Sequence, residues 1–335
     1  MKTLAGVLLA VVLAFTFAAA QSVPDTVEGH VAAAKAAAGA EYSGIATRLC
    51  TPPAPPAPRK TDAPATPRPA GGPARDTWYA KPVKVFDNLY FVGQTEYSAW
   101  ALTTSDGIII IDPIFDYSVE EEVVNGLKTL GFDPNTIKYV LISHAHSDHV
   151  GGASYLQDRF NAKVIMSEAD WTLLEGTRAT WRKPRKELVA TDGQKLTLGD
   201  TSITLYITPG HTLGTISSLI PVRDNGVRHV AAYWGGTAFN WTTNRNGYIT
   251  AERPDSFWFN RYIESAERFR TLARAAGADV ILSNHTIFDG SKTKLPALAK
   301  RRPQDPHPYV VGADSVARYL TVAEECAKAG LLRVK

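Results

Sequence analysis

The chain lacks three features that would assign it to a specialised class of protein. It has only two cysteines among 335 residues, so at most one disulfide can form within it, and the spacing of Cys50 and Cys326 does not show whether they meet. The formal net charge of +3 is too small to indicate a nucleic-acid-binding surface. Beyond residue 20, no apolar run is long enough to span a bilayer. These absences leave a globular protein that does not act on nucleic acid.

Residues 1–20 have the pattern of a secretory signal peptide. Lys2 supplies a positive start, residues 4–17 form an unbroken apolar run, and small alanines precede Gln21. That run is too short to favour a membrane-spanning helix. We therefore expect a secreted or periplasmic protein, with no stable membrane insertion once the signal peptide has been cleaved. Such a compartment is oxidising and would allow the two cysteines to pair.

Composition divides the remaining chain into an arm and a domain. Residues 24–49 are rich in alanine and predicted to be helical, whereas residues 51–73 carry a dense proline run that is typical of an extended tether. We place both in an N-terminal arm, residues 21–77, and expect one large domain over residues 78–335.

Hydrophobic patterning and turn residues predict the secondary structure of that domain. Strands alternate with helices twice, which indicates two sheets between layers of helices. Residues 171–190, which include Trp171 and Trp181, are expected to form a loop over the site. The predicted strands cover residues 84–86, 89–92, 99–102, 108–111, 139–142, 163–166, 195–198, 202–207, 217–222, 227–233 and 280–282. The predicted helices cover residues 119–130, capped by Ser118, and residues 152–160, 256–276 and 315–328.

The most informative segment is residues 144–149, with the sequence His-Ala-His-Ser-Asp-His. It directly follows the apolar run at 139–142, so a buried strand would deliver three imidazoles and a carboxylate to a loop. Imidazole nitrogen and carboxylate oxygen are preferred zinc ligands. His211 and His285 also follow predicted strands, at the ends where α/β sheets place their sites. The pattern therefore predicts a metal site.

This His-x-His-x-Asp-His pattern resembles the signature of the metallo-β-lactamase superfamily, and the resemblance extends over roughly residues 83–289. It implies an α/β fold, an αββα sandwich of two mixed β-sheets flanked by helices. It also implies two Zn²⁺ per chain. One would be bound by His144, His146 and His211, and the other by Asp148, His149 and His285.

Other residues are expected to support the metal site or to have structural roles outside it. Asp112 corresponds to the buried aspartate that supports the histidine loop in the family. We expect His30, His229 and His307 to be structural, and neither cysteine to be a metal ligand.

Residues 231–237 indicate which branch of the superfamily the chain resembles. Many superfamily hydrolases have an aspartate there that bridges the two metals, and one lactamase subclass has a cysteine, but this chain has neither. Their absence resembles the third subclass of metallo-β-lactamases, B3. That subclass commonly has a serine where Gly235 stands, so a hydroxyl able to hold a metal-bound water is missing here.

The resemblance implies a zinc-dependent hydrolase that opens the β-lactam ring of a small-molecule substrate by attack of a metal-bound hydroxide. Asp148 is predicted to be catalytic by orienting that hydroxide. Ser217 and Thr237 are predicted to bind the substrate, with Arg245 as a further candidate for its carboxylate. Trp171, Trp181 and Phe239 are candidates for the rim of the site. The oligomeric state is not predicted.

Three other functions stay open. The same fold could hydrolyse another ester, lactone, thioester or phosphodiester, although those relatives usually carry the bridging aspartate. A diiron redox member would have glutamate where His146 stands. A third alternative is an exported zinc-binding or partner-binding domain without activity. Metal analysis combined with a β-lactam assay separates these alternatives.

Overall fold

The computed structural model describes residues 23–52 and 72–335. The predicted signal peptide and most of the proline run lie outside these residues. Among the residues described, twelve strands form one sheet of seven and one of five. Helices cover the outer face of each sheet. The predicted αββα sandwich is therefore confirmed.

The first sheet runs in chain order from β1 to β7, and its second half places the histidine segment. Its first four strands pair antiparallel, whereas β4 to β7 pair in parallel. Parallel strands end at the same edge, so the loops that follow β4, β5 and β6 meet there. The strands are Val83–Lys84 (β1), Leu89–Phe91 (β2), Trp100–Thr104 (β3), Gly107–Ile111 (β4), Ile137–Leu141 (β5), Lys163–Ser167 (β6) and Leu188–Ala190 (β7).

The second sheet supplies the remaining strand ends. Its order is β12-β11-β10-β9-β8, with β11 and β12 parallel and the other pairs antiparallel. The strands are Lys195–Leu198 (β8), Thr201–Ile207 (β9), Ile216–Asp224 (β10), Val227–Trp234 (β11) and Val280–Ser283 (β12).

Side chains alternate between two cores along the central strands. In β4, Ile109 and Ile111 pack between the two sheets, whereas Ile108 and Ile110 pack against the helices. A strand has a period of two, so a run of four isoleucines has to be covered on both faces. The same alternation in β11 places the side chain of Tyr233 between the two sheets.

Ten α-helices occur in the described ranges. Helices α3, α5 and α6 cover the first sheet, and α1, α2, α8 and α10 cover the second. None of the helices in these ranges is both long enough and apolar enough to cross a membrane. The helices are Val27–Ala38 (α1), Ser43–Cys50 (α2), Asn125–Thr129 (α3), Ser147–Val150 (α4), Ala153–Phe160 (α5), Glu168–Gly176 (α6), Arg245–Tyr248 (α7), Asp255–Ala275 (α8), Ser291–Leu298 (α9) and Ala313–Val334 (α10).

The alanine-rich segment is part of the second helix layer. As predicted, it is helical, and it packs Ala34, Ala38 and Ile45 into the core beside α10. A disulfide joins Cys50 at the end of α2 to Cys326 in α10. The question that the spacing of the cysteines left open is thereby answered: they pair.

Two local predictions differ from the structure. The predicted helix at 119–130 begins with a π-helical turn, Glu120–Val124, and Ser118 does not cap it, because its hydroxyl donates to the carbonyl of Phe115. The predicted loop at 171–190 is shorter in the structure: residues 177–187 form the loop, whereas its two ends belong to α6 and β7. Ser167 accepts a hydrogen bond from the backbone N–H of Asp170, a helix-starting signal that the prediction overlooked.

Candidate metal centre

Loops from both sheets meet at one edge of the sandwich. The histidine segment follows β5, His211 follows β9, and His285 follows β12. The helical turn α4 begins after His146 and carries Asp148 and His149, and the ring of His149 is centred 4.3 Å from that of His144. Their ligand atoms form two groups of three, each within 4.8 Å: His144, His146 and His211 in the first, and Asp148, His149 and His285 in the second.

The first group consists of three imidazoles. His211 Nε2 lies 3.1 Å from His144 Nε2 and 3.2 Å from His146 Nδ1. His144 and His211 are buried, and His146 is partly buried. Tyr248 approaches the other side of His146, with its hydroxyl 2.8 Å from Nε2.

The outward nitrogens of this group show which ring atoms carry protons. His144 Nδ1 lies 2.9 Å from the carbonyl of Gly235, and His211 Nδ1 lies 2.7 Å from that of Ala238. A carbonyl only accepts, so both Nδ1 atoms donate and both Nε2 atoms face inward with lone pairs.

The inward-facing lone pairs repel one another, and protonation of the rings does not remove this repulsion. Burial and the neighbouring histidines lower the pKa of His144 well below its usual value and that of His146 to about 3. Burial likewise lowers the pKa of His211 to about 4. Neutral imidazoles whose lone pairs converge at hydrogen-bond distance fit a divalent cation. The donor set therefore fits the metal that the sequence predicted.

The second group includes a carboxylate and is more open. His149 Nε2 lies 3.2 Å from both His285 Nε2 and Asp148 Oδ2. The side chains of Asp148 and His285 are 21% and 24% exposed, whereas His149 is fully buried. Burial opposes a charge on His149, but Asp148 and Asp112 on its two sides raise its pKa to about 10. A cation in this group would take the place of that proton.

Asp112 holds the start of the histidine loop, as expected from the sequence. It is fully buried just after β4, in a left-handed conformation with φ of 54°. Its carboxylate accepts hydrogen bonds from the backbone and hydroxyl of Ser143, both at 2.6 Å, and from the hydroxyl of Tyr233 at 2.7 Å. His149 Nδ1 lies 3.3 Å away.

Asp170, which sequence reasoning missed, connects two ligand loops. Its buried carboxylate accepts hydrogen bonds from Ala145 N at 2.9 Å, Thr212 Oγ1 at 2.9 Å and Gly214 N at 3.0 Å. Ala145 lies between two donors of the first group, and Thr212 follows the third. The available signal was a carboxylate just after β6, at the same sheet edge as the histidine segment.

The structure corrects the interpretation of Gly235. A Cβ at this position would lie 1.9 Å from the carbonyl oxygen of Ile216, so a serine does not fit there without a shift of the backbone. At Gly236, a Cβ would lie 2.4 Å from the Cβ of His211. Both positions require glycine, because a side chain at either would collide with its neighbours. Only backbone atoms of these two residues therefore lie beside the first group.

The predicted substrate contacts of Ser217 and Thr237 are also corrected. Both residues are buried and lie outside the cavity above the donors. The Ser217 hydroxyl pairs with that of Thr208 at 2.8 Å, and the Thr237 hydroxyl pairs with that of Tyr319 at 3.0 Å. Buried hydroxyls find partners inside the protein, which leaves these two unavailable to substrate.

Three further candidates also lie elsewhere. Arg245 forms a bidentate ion pair with Asp255, at 2.7 and 2.8 Å, and it lines a neighbouring cavity together with Phe239. Trp171 is buried, with its indole N–H donating to Leu188 O.

A cavity of about 1310 Å³ opens above the two donor groups. Trp181 lines it, in agreement with the prediction for the rim. Apolar side chains and three arginines form much of the remaining wall. They are Leu173, Leu213, Trp258, Ile287 and Phe288, with Arg48, Arg178 and Arg253.

The other three histidines have structural partners, as expected. His30 Nδ1 lies 2.7 Å from Glu325, His229 Nδ1 lies 2.6 Å from Asp279, and His307 Nε2 donates to a backbone carbonyl at 2.8 Å.

Comparison with known proteins agrees with this geometry. The family profile described as "Metallo-beta-lactamase superfamily" matches residues 92–224, which contain five of the six donors. Over these residues the chain is similar to the metallo-β-lactamase superfamily.

Solved structures with a similar fold include BJP-1, a subclass B3 metallo-β-lactamase of Bradyrhizobium japonicum. It is 25% identical, with a TM-score of 0.61, and the match covers 73% of this chain and 91% of BJP-1. The native metallo-β-lactamase FEZ-1 from Legionella gormanii is 22% identical, with a TM-score of 0.63, and the match covers 76% and 98% of the two chains. The chain thus shares its fold with solved metallo-β-lactamases, a subclass B3 structure among them.

Curated relatives found by sequence have other names. A hydroxyacylglutathione hydrolase of Mesorhizobium japonicum is 31% identical over 121 residues, which are 34% of this chain and 43% of the relative. The N-acyl homoserine lactonase AttM of Rhizobium johnstonii is 27% identical over 198 residues, 55% and 71% of the two chains. The chain thus spans less than half the length of the first of these relatives. Together the comparisons identify a metallo-hydrolase superfamily without specifying its substrate.

Proposed function

We propose that this protein is a zinc-dependent hydrolase that opens the β-lactam ring. The observation that carries the proposal is the composition of the donor set. Residues 231–237 contribute no carboxylate or thiol to it, and the backbone carbonyl of Gly235 contacts His144 instead. Lack of a bridging carboxylate is what the resemblance to subclass B3 implies. The likeness to BJP-1, over 91% of that chain, supports the same assignment.

We further propose that the centre binds two zinc ions, one in each donor group. Imidazole and carboxylate ligands suit zinc, and three protein ligands per ion leave a position open for water or substrate. When bound, zinc lowers the pKa of water to roughly 7 and polarises a carbonyl.

The residues of the chain would position the reactants. Asp148 is the only carboxylate in the two groups and is partly exposed, so it can accept a hydrogen bond from the attacking water and orient it. Water then adds to the ring carbonyl, the C–N bond breaks, and the ring nitrogen takes up the proton. The apolar side chains of the cavity exclude bulk water from the body of the substrate.

A second candidate is hydrolysis of a thioester or a lactone, which the names of the curated relatives favour. The donor groups would be the same, since the reaction again adds water to an acyl carbon. The two proposals differ in the leaving group.

The test is a substrate panel with metal analysis. Purified protein is loaded with zinc, its zinc content is measured, and its hydrolysis of a penicillin, a cephalosporin, a carbapenem, an acyl homoserine lactone and a glutathione thioester is compared. We expect two zinc ions and the highest kcat/KM for a β-lactam, with loss of activity on chelation. Highest activity on the lactone or thioester would favour the second candidate, and bound iron would contradict both.

We also propose that the protein is exported, since residues 1–20 have the pattern of a signal peptide. Expression in a susceptible bacterium should give mature protein in the periplasmic fraction with an N-terminus near Gln21. It should also raise resistance to the β-lactam that is hydrolysed best. Recovery of uncleaved protein from the cytoplasm would contradict export.

A further inference from the structure

Arg48 projects from α2, a helix that lies far from the histidine segment in sequence. The buried face of α2 includes Ile45, Leu49 and Cys50, and the disulfide to Cys326 fastens the end of the helix to α10. Arg48 lies one residue before the buried Leu49 and is exposed. The helix is thus held by its apolar face and by a covalent bond, while the guanidinium extends outward.

The guanidinium of Arg48 reaches the cavity of the metal centre. Arg48 lines that cavity together with His285 and Asp148. Its guanidinium carbon lies 6.0 Å from the ring centre of Phe288, and that ring is centred 5.7 Å from the ring of His285. A positive charge therefore lies on the side of the second donor group.

Arg48 has no carboxylate within 4.0 Å among the residues that the structure describes, unlike several other arginines of the chain. The carboxylates that line the cavity have other partners. Glu96 pairs with Lys292, Asp148 belongs to the donor group, and Asp170 holds the ligand loops. A guanidinium presents a planar fork of donors that matches a carboxylate, so this one is free to bind an anionic group.

Exposed apolar side chains in the cavity indicate what else the ligand contains. Leu173 and Ile287 are 37% and 40% exposed, and both line the same cavity. Exposed apolar side chains in a concave site favour an apolar ligand body. The cavity thus offers a reactive centre, an apolar wall and a positive charge to one molecule.

We propose that Arg48 determines specificity by binding the carboxylate of an acyl substrate with an apolar body, on the His285 side of the centre. This inference rests on the proposed hydrolase function. It also assigns a task to the N-terminal helices, because α2 and its disulfide hold Arg48 at the cavity.

The main experiment compares Arg48→Gln with a matched control, Arg333→Gln. Arg333 is also exposed and lines the neighbouring cavity with Arg48, but it does not line the cavity of the metal centre. We expect Arg48→Gln to raise KM for a carboxylate substrate by about tenfold, with kcat changed by less than about twofold. KM for the methyl ester of that substrate should stay unchanged. Arg48→Lys should restore part of the loss, and Arg333→Gln should behave as the wild type.

A binding measurement keeps the inference testable if no β-lactam is hydrolysed. Calorimetry would compare 3-mercaptopropionate with its methyl ester on the zinc-loaded protein. We expect the acid to bind about tenfold more tightly to the wild type than to Arg48→Gln, and the ester to bind equally to both. An unchanged affinity for the acid in Arg48→Gln would overturn the assignment. So would an equal loss for acid and ester, because that result indicates a structural role. Zinc content and the melting temperature of each variant identify loss of metal or of folding.

Discussion

The two donor groups of the metal centre are constructed differently. The first consists of three neutral imidazoles, two of which are fixed by backbone carbonyls, and its most exposed member is the partly buried His146. The second includes Asp148, is about one-fifth exposed at two of its side chains, and contains a histidine that lies beside two carboxylates. The first is enclosed and neutral, and the second is open and charged.

This difference indicates a division of tasks. Backbone carbonyls and tightly packed glycines determine the ring orientations in the first group, so its geometry is set by the fold before any metal binds. The second group meets the cavity, where Asp148 and His285 can contact solvent and substrate. We expect the first group to bind its metal more tightly and the second to adjust more easily.

The largest expected effect is that of His211→Ala. Removing one of three imidazoles from the enclosed group should abolish binding of one zinc and lower kcat/KM by at least ~10³-fold, about 4 kcal/mol in activation free energy. Zinc content by mass spectrometry and steady-state kinetics measure the two effects. His229→Ala is the control, because His229 pairs with Asp279 outside the site. Full zinc content in His211→Ala would contradict the assignment of the first group.

His285→Ala should have a smaller effect, since the open group can recruit water in place of the lost ring. We expect kcat/KM to fall by about 10- to 100-fold, or about 1.4 to 2.7 kcal/mol, with one zinc retained. Chelator titration of the wild type should likewise release the two ions in separate steps. Equal losses in His285→Ala and His211→Ala would remove the distinction between the two groups.

Asp170→Asn tests the support of the enclosed group. The introduced amide would present a donor toward N–H or O–H groups that now donate to the carboxylate, so the loops that carry His146 and His211 should loosen. We expect zinc affinity of the first group to fall by about 10- to 100-fold, while that of the second changes little. Competition with a fluorescent zinc chelator measures both affinities. A loss confined to the second group would show that Asp170 does not act through these loops.

Gly235→Ser should destabilise the protein rather than supply a useful hydroxyl. The added side chain meets the carbonyl of Ile216, so we expect a loss of about 1–3 kcal/mol in the free energy of unfolding. Gly44→Ser is the control, because a Cβ at Gly44 meets nothing within 4 Å. Urea unfolding of both variants measures the difference. A stable Gly235→Ser protein with raised activity would show that the missing hydroxyl limits the reaction.

Much of the candidate site could be predicted from sequence because its residues follow strands. The run of isoleucines in β4 and the segment at 144–149 each combine a strong apolar pattern with an abrupt polar loop. His211 and His285 follow the same rule, and the structure brings all of these donors together. That these residues bind zinc stays a prediction.

The sequence did not predict roles that depend on distant parts of the chain. The hydroxyls of Ser217 and Thr237 suit a substrate carboxylate, but burial decides whether a hydroxyl can meet substrate. Asp170 was missed because its hydrogen-bond partners, Ala145 and Gly214, lie 25 and 44 residues away. Local patterns carry no information about such partners.

The sequence by itself determined the layered fold and the identity of the donors, because alternating hydrophobicity and ligand chemistry are local properties. Only the tertiary structure decided how the donors divide into an enclosed and an open group. It also decided that glycine backbone replaces a side chain beside His211, and that an arginine of the N-terminal helices reaches the cavity. These features arise from the packing of segments that are remote in sequence, where steric fit and burial select among chemically equivalent residues.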